Sequence, residues 1–195
     1  MIGIIDYGAG NVRSVGNALE RLQTPYFVSR NVSDLSKAQK LILPGVGEAQ
    51  SAMKSLGQSG LVEWLKIVKV PFLGICIGMQ ILFDHSDERE TPCLGVVTGR
   101  VQRFDAGRVK IPHMGWNRAA IRQTNPLFYN ITDGEYFYFV HSFRAPVVET
   151  TLAVTEYGGD FSAAVRKDNY FGVQFHAEKS GNAGLQVLRN FIELC

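Results

Sequence analysis

The stretch Val70–Phe83, VPFLGICIGMQILF, decides the fold. Its first four residues form a short apolar run typical of a buried strand, and the apolar spacing from Met79 onward predicts a helix. Gly74 and Gly78 flank Cys76 at two residues on either side, which allows a sharp strand-to-helix turn with little bulk around the sulfur. Such an elbow presents a nucleophile, and N–H groups at the start of the helix favour its thiolate form. A buried structural cysteine between close-packed glycines is the alternative interpretation.

A cysteine nucleophile needs a general base, and His176 has the most suitable local sequence for that role. The segment Tyr170–Phe175 is strand-like, and His176 follows it directly. Side chains at i and i+2 of an extended chain share a face, so we expect Glu178 to reach the ring of His176. A carboxylate there fixes the tautomer and stabilises the imidazolium, which completes a nucleophile, base and orienting group. A surface His–Glu pair is the alternative interpretation.

The remaining histidines and cysteines have weaker claims to a chemical role. His113 and His141 lie in strand-edge segments without a carboxylate two residues away. His85 lies in a polar segment and is expected to be solvated. Cys93 follows a proline and Cys195 is the last residue, so we expect neither thiol to take part in catalysis.

The composition is that of an ordinary globular protein. The 195 residues are 46% hydrophobic and 19% charged, with a net charge of +2, which predicts one domain over residues 1–195. The scattered basic residues give no reason to expect nucleic acid, and no apolar run or leader pattern predicts a membrane. The three cysteines show no metal-ligand spacing, so we expect free thiols, no metal and a reducing, cytoplasmic location.

Strand-like and helical segments alternate in the first half of the chain. Met1–Ile5 and Lys40–Leu43 are predicted strands, the second ended by a proline. Helical spacing is found in three segments: Asn11–Leu22, Glu48–Leu56 and Leu61–Val68. The order predicts an α/β fold with an open mixed, largely parallel sheet flanked by helices, as in flavodoxin-like proteins. Short strands dominate from Leu94 to Gln174, so the second half is predicted to be β-rich, before a final helix over Gly181–Leu194.

Two glycine-rich turns follow the predicted strands. The turn Gly8–Asn11, which includes Ala9, stands between a strand and a helix, as a dinucleotide-binding turn would. Arg13 occupies the position of the third glycine, which argues against nucleotide binding. The second turn, Pro44–Gly47, has a flexible backbone that can present N–H groups to an oxyanion, and a plain tight turn is its alternative interpretation.

Taken together, these segments resemble the class I (triad) glutamine amidotransferases, in particular those that supply ammonia to a cyclase subunit in histidine biosynthesis. The motifs that carry the resemblance span nearly the whole chain: Ile5–Ser14, Leu43–Gly47, Pro71–Phe83, Pro112–Asn117, Tyr138–Ser142 and Gly172–Ser180. Among them, Pro112–Asn117 is the segment that other class I amidotransferases usually lack.

The resemblance implies an activity and a role for each matching residue. It implies glutamine hydrolysis through a thioester, without metal or organic cofactor, in a heterodimer whose cyclase partner is a (β/α)8 barrel. The implied triad is Cys76, His176 and Glu178. The implied oxyanion donors are backbone N–H groups of Val46, Gly47 and Ile77. The implied glutamine-binding residues are Gly47, Gln80, Glu88, Ser142 and Phe143. The implied partner-facing residues are Asn11, Trp116 and Lys179.

One position departs from the family pattern, since Ala177 stands where the family usually has proline between the catalytic histidine and glutamate. Proline fixes φ, and alanine adopts the same conformation at an entropic cost, so the triad is expected to survive.

Three alternatives remain at this point. An amidotransferase could serve another acceptor, such as that of a sugar-modifying synthase. A cysteine hydrolase or peptidase would have no use for the Trp116 segment. A non-catalytic paralogue would be expected to lose Cys76 or His176, and both are present.

Overall fold

The computed structural model describes residues 1–8 and 10–195, so Ala9 in the first glycine-rich turn lies outside the described residues. The strands are β1 Ile2–Ile5, β2 Tyr26–Ser29, β3 Lys40–Gly45, β4 Phe72–Cys76, β5 Phe83–Ser86, β6 Thr91–Pro92, β7 Val97–Arg103, β8 His113–Ile121, β9 Glu135–His141, β10 Phe143–Arg144, β11 Thr151–Glu156, β12 Asp160–Lys167 and β13 Tyr170–Val173. The α-helices are α1 Val12–Arg21, α2 Val32–Leu35, α3 Ala49–Gln58, α4 Leu61–Leu65, α5 Ile77–Gln80 and α6 Gly181–Leu194. None of these helices in the described part of the chain is long and apolar enough to cross a membrane.

The main sheet is open and mixed. Over the described residues its strand order is β2-β1-β3-β4-β13-β12-β11-β8-β9. The strands from β2 to β13 run parallel, and those from β13 to β9 pair antiparallel. A smaller sheet has the order β10-β7-β5-β6. The predicted mixed sheet with flanking helices and a β-rich second half is confirmed, and its parallel part is one half of the main sheet.

The two halves of the main sheet are buried differently. Strands β1, β4 and β13 are buried along their whole length, as expected of parallel strands covered on both faces. Strands β8 and β9 alternate between buried and more exposed residues, because one face of this end of the sheet is open. The carboxyl ends of β3, β4 and β13 are adjacent, which brings the predicted motifs to one edge.

Strand β3 continues beyond its predicted end, through Pro44 and Gly45. Successive residues of a strand direct their N–H groups alternately to the two neighbouring strands. The N–H of Leu41 points toward β4. The backbone nitrogen of Pro44, three residues later, therefore faces β1. Pairing with β1 ends at Ile42, so the missing N–H of proline removes no ladder hydrogen bond. Gly45 therefore still pairs with Cys76 on β4.

The predicted helix after the elbow is wrong in length. Helix α5 is a single turn ending at Gln80, and Phe83 already begins β5. Pairing of Phe83 with Val97 in the smaller sheet overrides the local helical spacing. Helix α4 is also shorter than predicted, and the short elements β2 and α2 were not predicted.

Candidate active site

The turn between β4 and α5 holds Cys76 in a strained backbone conformation. Its φ of 55° and ψ of −107° lie outside the regions that non-glycine residues ordinarily adopt. A Cβ at Gly78 would lie 2.1 Å from the backbone oxygen of Leu43, and one at Gly74 would lie 2.3 Å from the oxygen of Gly78. Only glycine fits at both positions, so the turn has the close packing and the strain of a nucleophile elbow.

Cys76 lines a cavity of about 320 Å³. The predicted site residues that also line it are Val46, Gly47, Ile77, Gln80, Glu88, Ser142, Phe143, His176 and Lys179. Pro112, Val140 and His141 line it as well, and the sequence analysis gave them no role there. The predicted residues that do not line it are Glu178, Asn11 and Trp116.

His176 and Glu178 form a buried pair. Nδ1 of His176 lies 2.9 Å from Oε1 of Glu178, and their side chains are 5% and 1% exposed. The predicted contact is present, but its predicted basis in an extended chain is wrong, because β13 ends at Val173 and Ala177–Lys179 form a 3₁₀ turn. Asn11 Nδ2 also donates to Oε1 of Glu178, at 3.3 Å. Since Nδ1 donates to the carboxylate, the other ring nitrogen of His176 is available for the thiol.

The three buried histidines differ in charge. Burial lowers the pKa of His176, but hydrogen bonds and charges of Cys76 and Glu178 raise it by more, to about 10. Burial lowers the pKa of His113 to about 4 and that of His141 to about 3. The surroundings of His176 therefore favour the imidazolium, whereas those of the other two rings favour the neutral form. Because α5 has only one turn, this imidazolium rather than a long helix supplies the positive charge beside Cys76.

Gln174 connects Cys76 to the wall of the cavity, a contact that was not predicted from the sequence. Its Nε2 lies 3.7 Å from Sγ of Cys76, which also lies 3.8 Å from the carbonyl oxygen of Val140. Gln80 Nε2 donates to Oε1 of Gln174 and to the carbonyl oxygen of Phe143, both at 2.9 Å. Oε1 of Gln80 is buried without a hydrogen-bond partner among the described residues. This oxygen can accept a hydrogen bond from an N–H group of a bound ligand.

Glu88 adds a carboxylate to the same cavity. Its Oε2 accepts a 2.6 Å hydrogen bond from the N–H of Ala49, the first residue of α3. Burial raises the pKa of Glu88, and that hydrogen bond opposes the rise. A carboxylate and the free acceptor of Gln80 together suit a ligand that carries an ammonium or amide group.

The end of β3 borders the cavity close to Cys76. Val46 is 38% exposed, and Gly47 has a φ of 93°, a conformation that favours glycine. Tyr7 lies beside this segment. Burial raises the pKa of its hydroxyl, and the charge of Cys76 raises that pKa further, whereas the backbone of Val46 lowers it. The hydroxyl has no hydrogen-bond partner within the described ranges. The sequence analysis assigned Tyr7 no role of its own.

The residues predicted to face a partner do not share one environment. Trp116 is 54% exposed and packs against the edge of Tyr138, with ring centroids 5.9 Å apart. Lys179 is exposed and lines the cavity. Asn11 is half-buried, and its side chain donates to Glu178, so it helps to hold this carboxylate in place.

Comparison with known proteins gives matches over nearly the whole chain. Residues 3–194 match the family model of class I glutamine amidotransferases. The chain is 47% identical over 197 residues to imidazole glycerol phosphate synthase subunit HisH 1 of Vibrio vulnificus strain YJ016, with 98% of this chain and 97% of the relative covered. It is 48% identical over 192 residues to the HisH subunit of Pectobacterium atrosepticum, with 98% of each covered.

Solved structures agree on the fold. A crystal structure of a glutamine amidotransferase has a TM-score of 0.76 at 21% identity, covering 99% of this chain and 97% of that one. The structure of PurLQS from Thermotoga maritima contains a chain with a TM-score of 0.71 at 19% identity, covering 98% of this chain and 96% of that one. These structural matches support the fold, and the sequence matches support the family. The chain belongs to the class I glutamine amidotransferases.

Proposed function

We propose that this chain is the glutaminase subunit of an imidazole glycerol phosphate synthase, which hydrolyses glutamine and delivers ammonia to a cyclase subunit in histidine biosynthesis. One observation carries the proposal: a cysteine on a strained elbow shares a cavity with a histidine that is paired to a buried glutamate. The relatives named HisH supply the choice of synthase. The family match over residues 3–194 supports a single glutaminase domain.

Acylation uses Cys76 and His176. The Cys76 thiolate attacks the side-chain amide carbon of glutamine, and a bond forms between sulfur and carbon. The carbon–nitrogen bond then breaks as the imidazolium of His176 gives its proton to the leaving nitrogen, which departs as ammonia. The raised pKa of His176 supports this role, because the proton is on the ring before the attack.

Deacylation returns the site to its starting state. Water gives a proton to the neutral ring of His176 while its oxygen adds to the thioester carbon. The carbon–sulfur bond breaks, glutamate leaves, and the thiolate and imidazolium are restored. Glu178 accepts the hydrogen bond from Nδ1 throughout and stabilises the charged ring. This chemistry needs no metal or organic cofactor.

The substrate is proposed to bind in the cavity beside the elbow. Glu88 and the free Oε1 of Gln80 are suited to the ammonium and amide groups of glutamine. Gly47, Ser142 and Phe143 border the rest of the cavity.

The oxyanion of each tetrahedral intermediate is proposed to bind to backbone N–H groups. One donor belongs to Ile77, directly after the nucleophile, and the other to the Val46–Gly47 segment. Glycine at position 47 allows this peptide plane to rotate, so a partner can bring the second donor into place. A missing donor lowers the rate by roughly 10²–10³, which would keep the isolated chain nearly inactive.

The partner is proposed to be a cyclase with a (β/α)8 barrel, bound at the open end of the main sheet. Trp116 is a large exposed aromatic residue on β8, and Lys179 is exposed at the cavity. Tryptophan is one of the residues that most often contribute a large share of the binding energy of an interface. The thiols of this chain are free, which is in keeping with a reducing cytoplasm as the place of action.

Incubation of the purified chain with L-glutamine tests the proposal. We expect glutamate and ammonia in equal amounts, at a rate that rises when the cyclase and its ligand are added. Absence of glutamate in the presence of the cyclase would contradict the proposed function. Stimulation by a sugar-modifying synthase instead of the cyclase would assign the chain to the alternative amidotransferase.

A further inference from the structure

We propose that His113 and His141 are positioning residues for the glutamine pocket, forming a one-directional hydrogen-bond relay that holds the amide of Gln80 in its binding orientation. The inference rests on the proposed function, because it takes Gln80 as a contact of bound glutamine. The sequence predicts no role for either histidine, and neither takes part in the mechanism proposed above.

The direction of the relay follows from its last acceptor. Nδ1 of His141 lies 2.7 Å from the carbonyl oxygen of Phe143, which can only accept, so the hydrogen is on Nδ1. In a neutral ring Nε2 of His141 is then an acceptor. It lies 3.0 Å from Nδ1 of His113, so the hydrogen of His113 is also on Nδ1. Nε2 of His113 in turn accepts from Nδ2 of Asn117, at 3.2 Å.

Both rings are held neutral and in place by their surroundings. His113 and His141 are 3% and 6% exposed and face each other in the β8–β9 register. His113 stacks on Tyr157 with ring centroids 4.0 Å apart, and Phe104 packs against both histidines. Burial lowers the pKa of each histidine far below neutral, so neither ring gains the second proton that would reverse a hydrogen bond.

The relay meets the glutamine pocket at one carbonyl group. The oxygen of Phe143 accepts from His141 and from Nε2 of Gln80, which occupies both of its lone pairs. Nε2 of Gln80 donates its second hydrogen to Oε1 of Gln174. The nitrogen of the Gln80 amide is therefore held toward the protein, and its Oε1 has no hydrogen-bond partner among the described residues. Because Gln80 lines the cavity, we assign Oε1 as the acceptor for the ligand.

Loss of the relay has a specific expected consequence. Without His141, the carbonyl group of Phe143 loses one of its two hydrogen bonds and can rotate away from Gln80. The amide of Gln80 can then turn over and present N–H groups where the ligand also has N–H groups. Glutamine binding should weaken while the nucleophile and the His176–Glu178 pair stay intact.

Imidazole nitrogen NMR of the full chain tests the assigned hydrogens directly. We expect both His113 and His141 to carry hydrogen on Nδ1 alone at neutral pH. Hydrogen on Nε2 of either ring, or a doubly protonated ring, would overturn the relay. This readout is independent of glutamine and of any partner.

Glutamine titration on the Cys76→Ala chain tests the positioning role without turnover. Adding His141→Phe should raise the dissociation constant about tenfold, the equivalent of about 1.4 kcal/mol for one hydrogen bond. Adding His141→Asn keeps an N–H at the Nδ1 position and should stay within about threefold. His85→Phe is the control, because the ring of His85 bonds to Glu90 in the smaller sheet region and does not line the cavity, so the dissociation constant should not change.

The outcomes separate the two proposals. If the Cys76→Ala chain does not bind glutamine at all, the proposed function fails and the positioning role fails with it. If it binds glutamine and His141→Phe, with an unchanged melting temperature, binds equally well, only the relay is overturned. Should His141→Phe not fold, a tenfold loss in His141→Leu that His141→Asn does not share supports the relay, and equal affinities overturn it.

Discussion

The parallel and antiparallel halves of the main sheet contribute to the site in different ways. The parallel half provides Cys76 and the Val46–Gly47 segment through backbone geometry, on strands buried along their length. The antiparallel half provides His141 and the residues after it through a network of side-chain hydrogen bonds, and it presents Trp116 on an open face. Chemistry that depends on backbone geometry needs glycine at defined positions and is visible in short motifs. A side-chain network depends on strand pairing and leaves no such local pattern.

The largest expected effect is at the nucleophile of the parallel half. Cys76→Ala should lower glutamine hydrolysis by about 10⁴–10⁶. Cys93→Ala and Cys195→Ala should leave the rate unchanged, since burial raises the pKa of these thiols to about 12 and about 11 and keeps them protonated. Labelling with a glutamine-analogue electrophile identifies the reactive thiol, and modification of Cys93 instead of Cys76 would refute the assignment.

Because the backbones are closely packed in the parallel half, adding one methyl group at Gly78 should cause a large loss of stability. Gly78→Ala places a Cβ 2.1 Å from the backbone oxygen of Leu43 and should lower the free energy of unfolding by about 3 kcal/mol or prevent folding. Gly57→Ala, in α3 with open space around the added Cβ, is the matched control and should be neutral or slightly stabilising. Denaturant titration of both variants measures the difference, and equal stabilities would mean that β3 and the elbow separate easily.

Glu178→Gln tests the ion pair that follows β13, where the two halves meet. Removing the carboxylate takes away one cause that raises the pKa of His176, so the pKa should fall and the alkaline limb of the rate profile should move to lower pH. We expect a loss of roughly a hundredfold, less than for His176→Ala. The charged ring stabilises the fold fully below about pH 6.5, its unfolded pKa, and this stability is lost as the pH rises through about 10. A rate profile identical to that of the unaltered chain would show that Glu178 does not tune His176.

A substitution on the open face of the antiparallel half should affect only the activation of glutamine hydrolysis by the cyclase. Trp116→Ala should weaken activation by the cyclase about tenfold and spare basal hydrolysis, because Trp116 is exposed and lies outside the cavity. Tyr129→Ala is a suitable control, since Tyr129 is a 67% exposed aromatic residue in the connection between β8 and β9 and not on β8 itself. Equal activation of both variants would exclude this face as the docking surface.

The smallest expected effect is at the position that departs from the family pattern. Ala177 is the first residue of the 3₁₀ turn, where a missing N–H removes no bond within the turn. Ala177→Pro should therefore change the free energy of unfolding by less than about 1 kcal/mol and leave the rate nearly unchanged. Unfolding of this variant would show that the turn has a backbone that proline cannot adopt.

Most of the fold could be predicted, and the errors have physical causes. Final helix α6 has the predicted bounds, because its apolar periodicity is continuous over Gly181–Leu194. The helix after the elbow is shorter than predicted, because Phe83 pairs with a strand that is distant in sequence. Proline usually ends a strand, but β3 passes Pro44 because its pairing with β1 has already stopped at Ile42.

The residues of the candidate site were predictable to different degrees. Cys76 and His176 stand in local motifs that predict their chemistry. The roles of Gln174 and Asn11 depend on contacts with Gln80 and Glu178, which are distant from them in sequence. The position of Gln174 two residues before His176 was a usable signal, because both follow the same strand.

Local sequence is enough to specify the elbow, the glycines that allow it and the final helix, and it places Glu178 two residues after His176. These features depend on neighbours within a few residues, so local sterics and periodicity are sufficient. Packing sets the proton affinities of the histidines, since burial lowers the pKa of His113 and His141 while partners raise that of His176. It also decided the hydrogen-bond directions around Gln80. Both depend on desolvation and on strand register, which arise only when segments about 100 residues apart pack together.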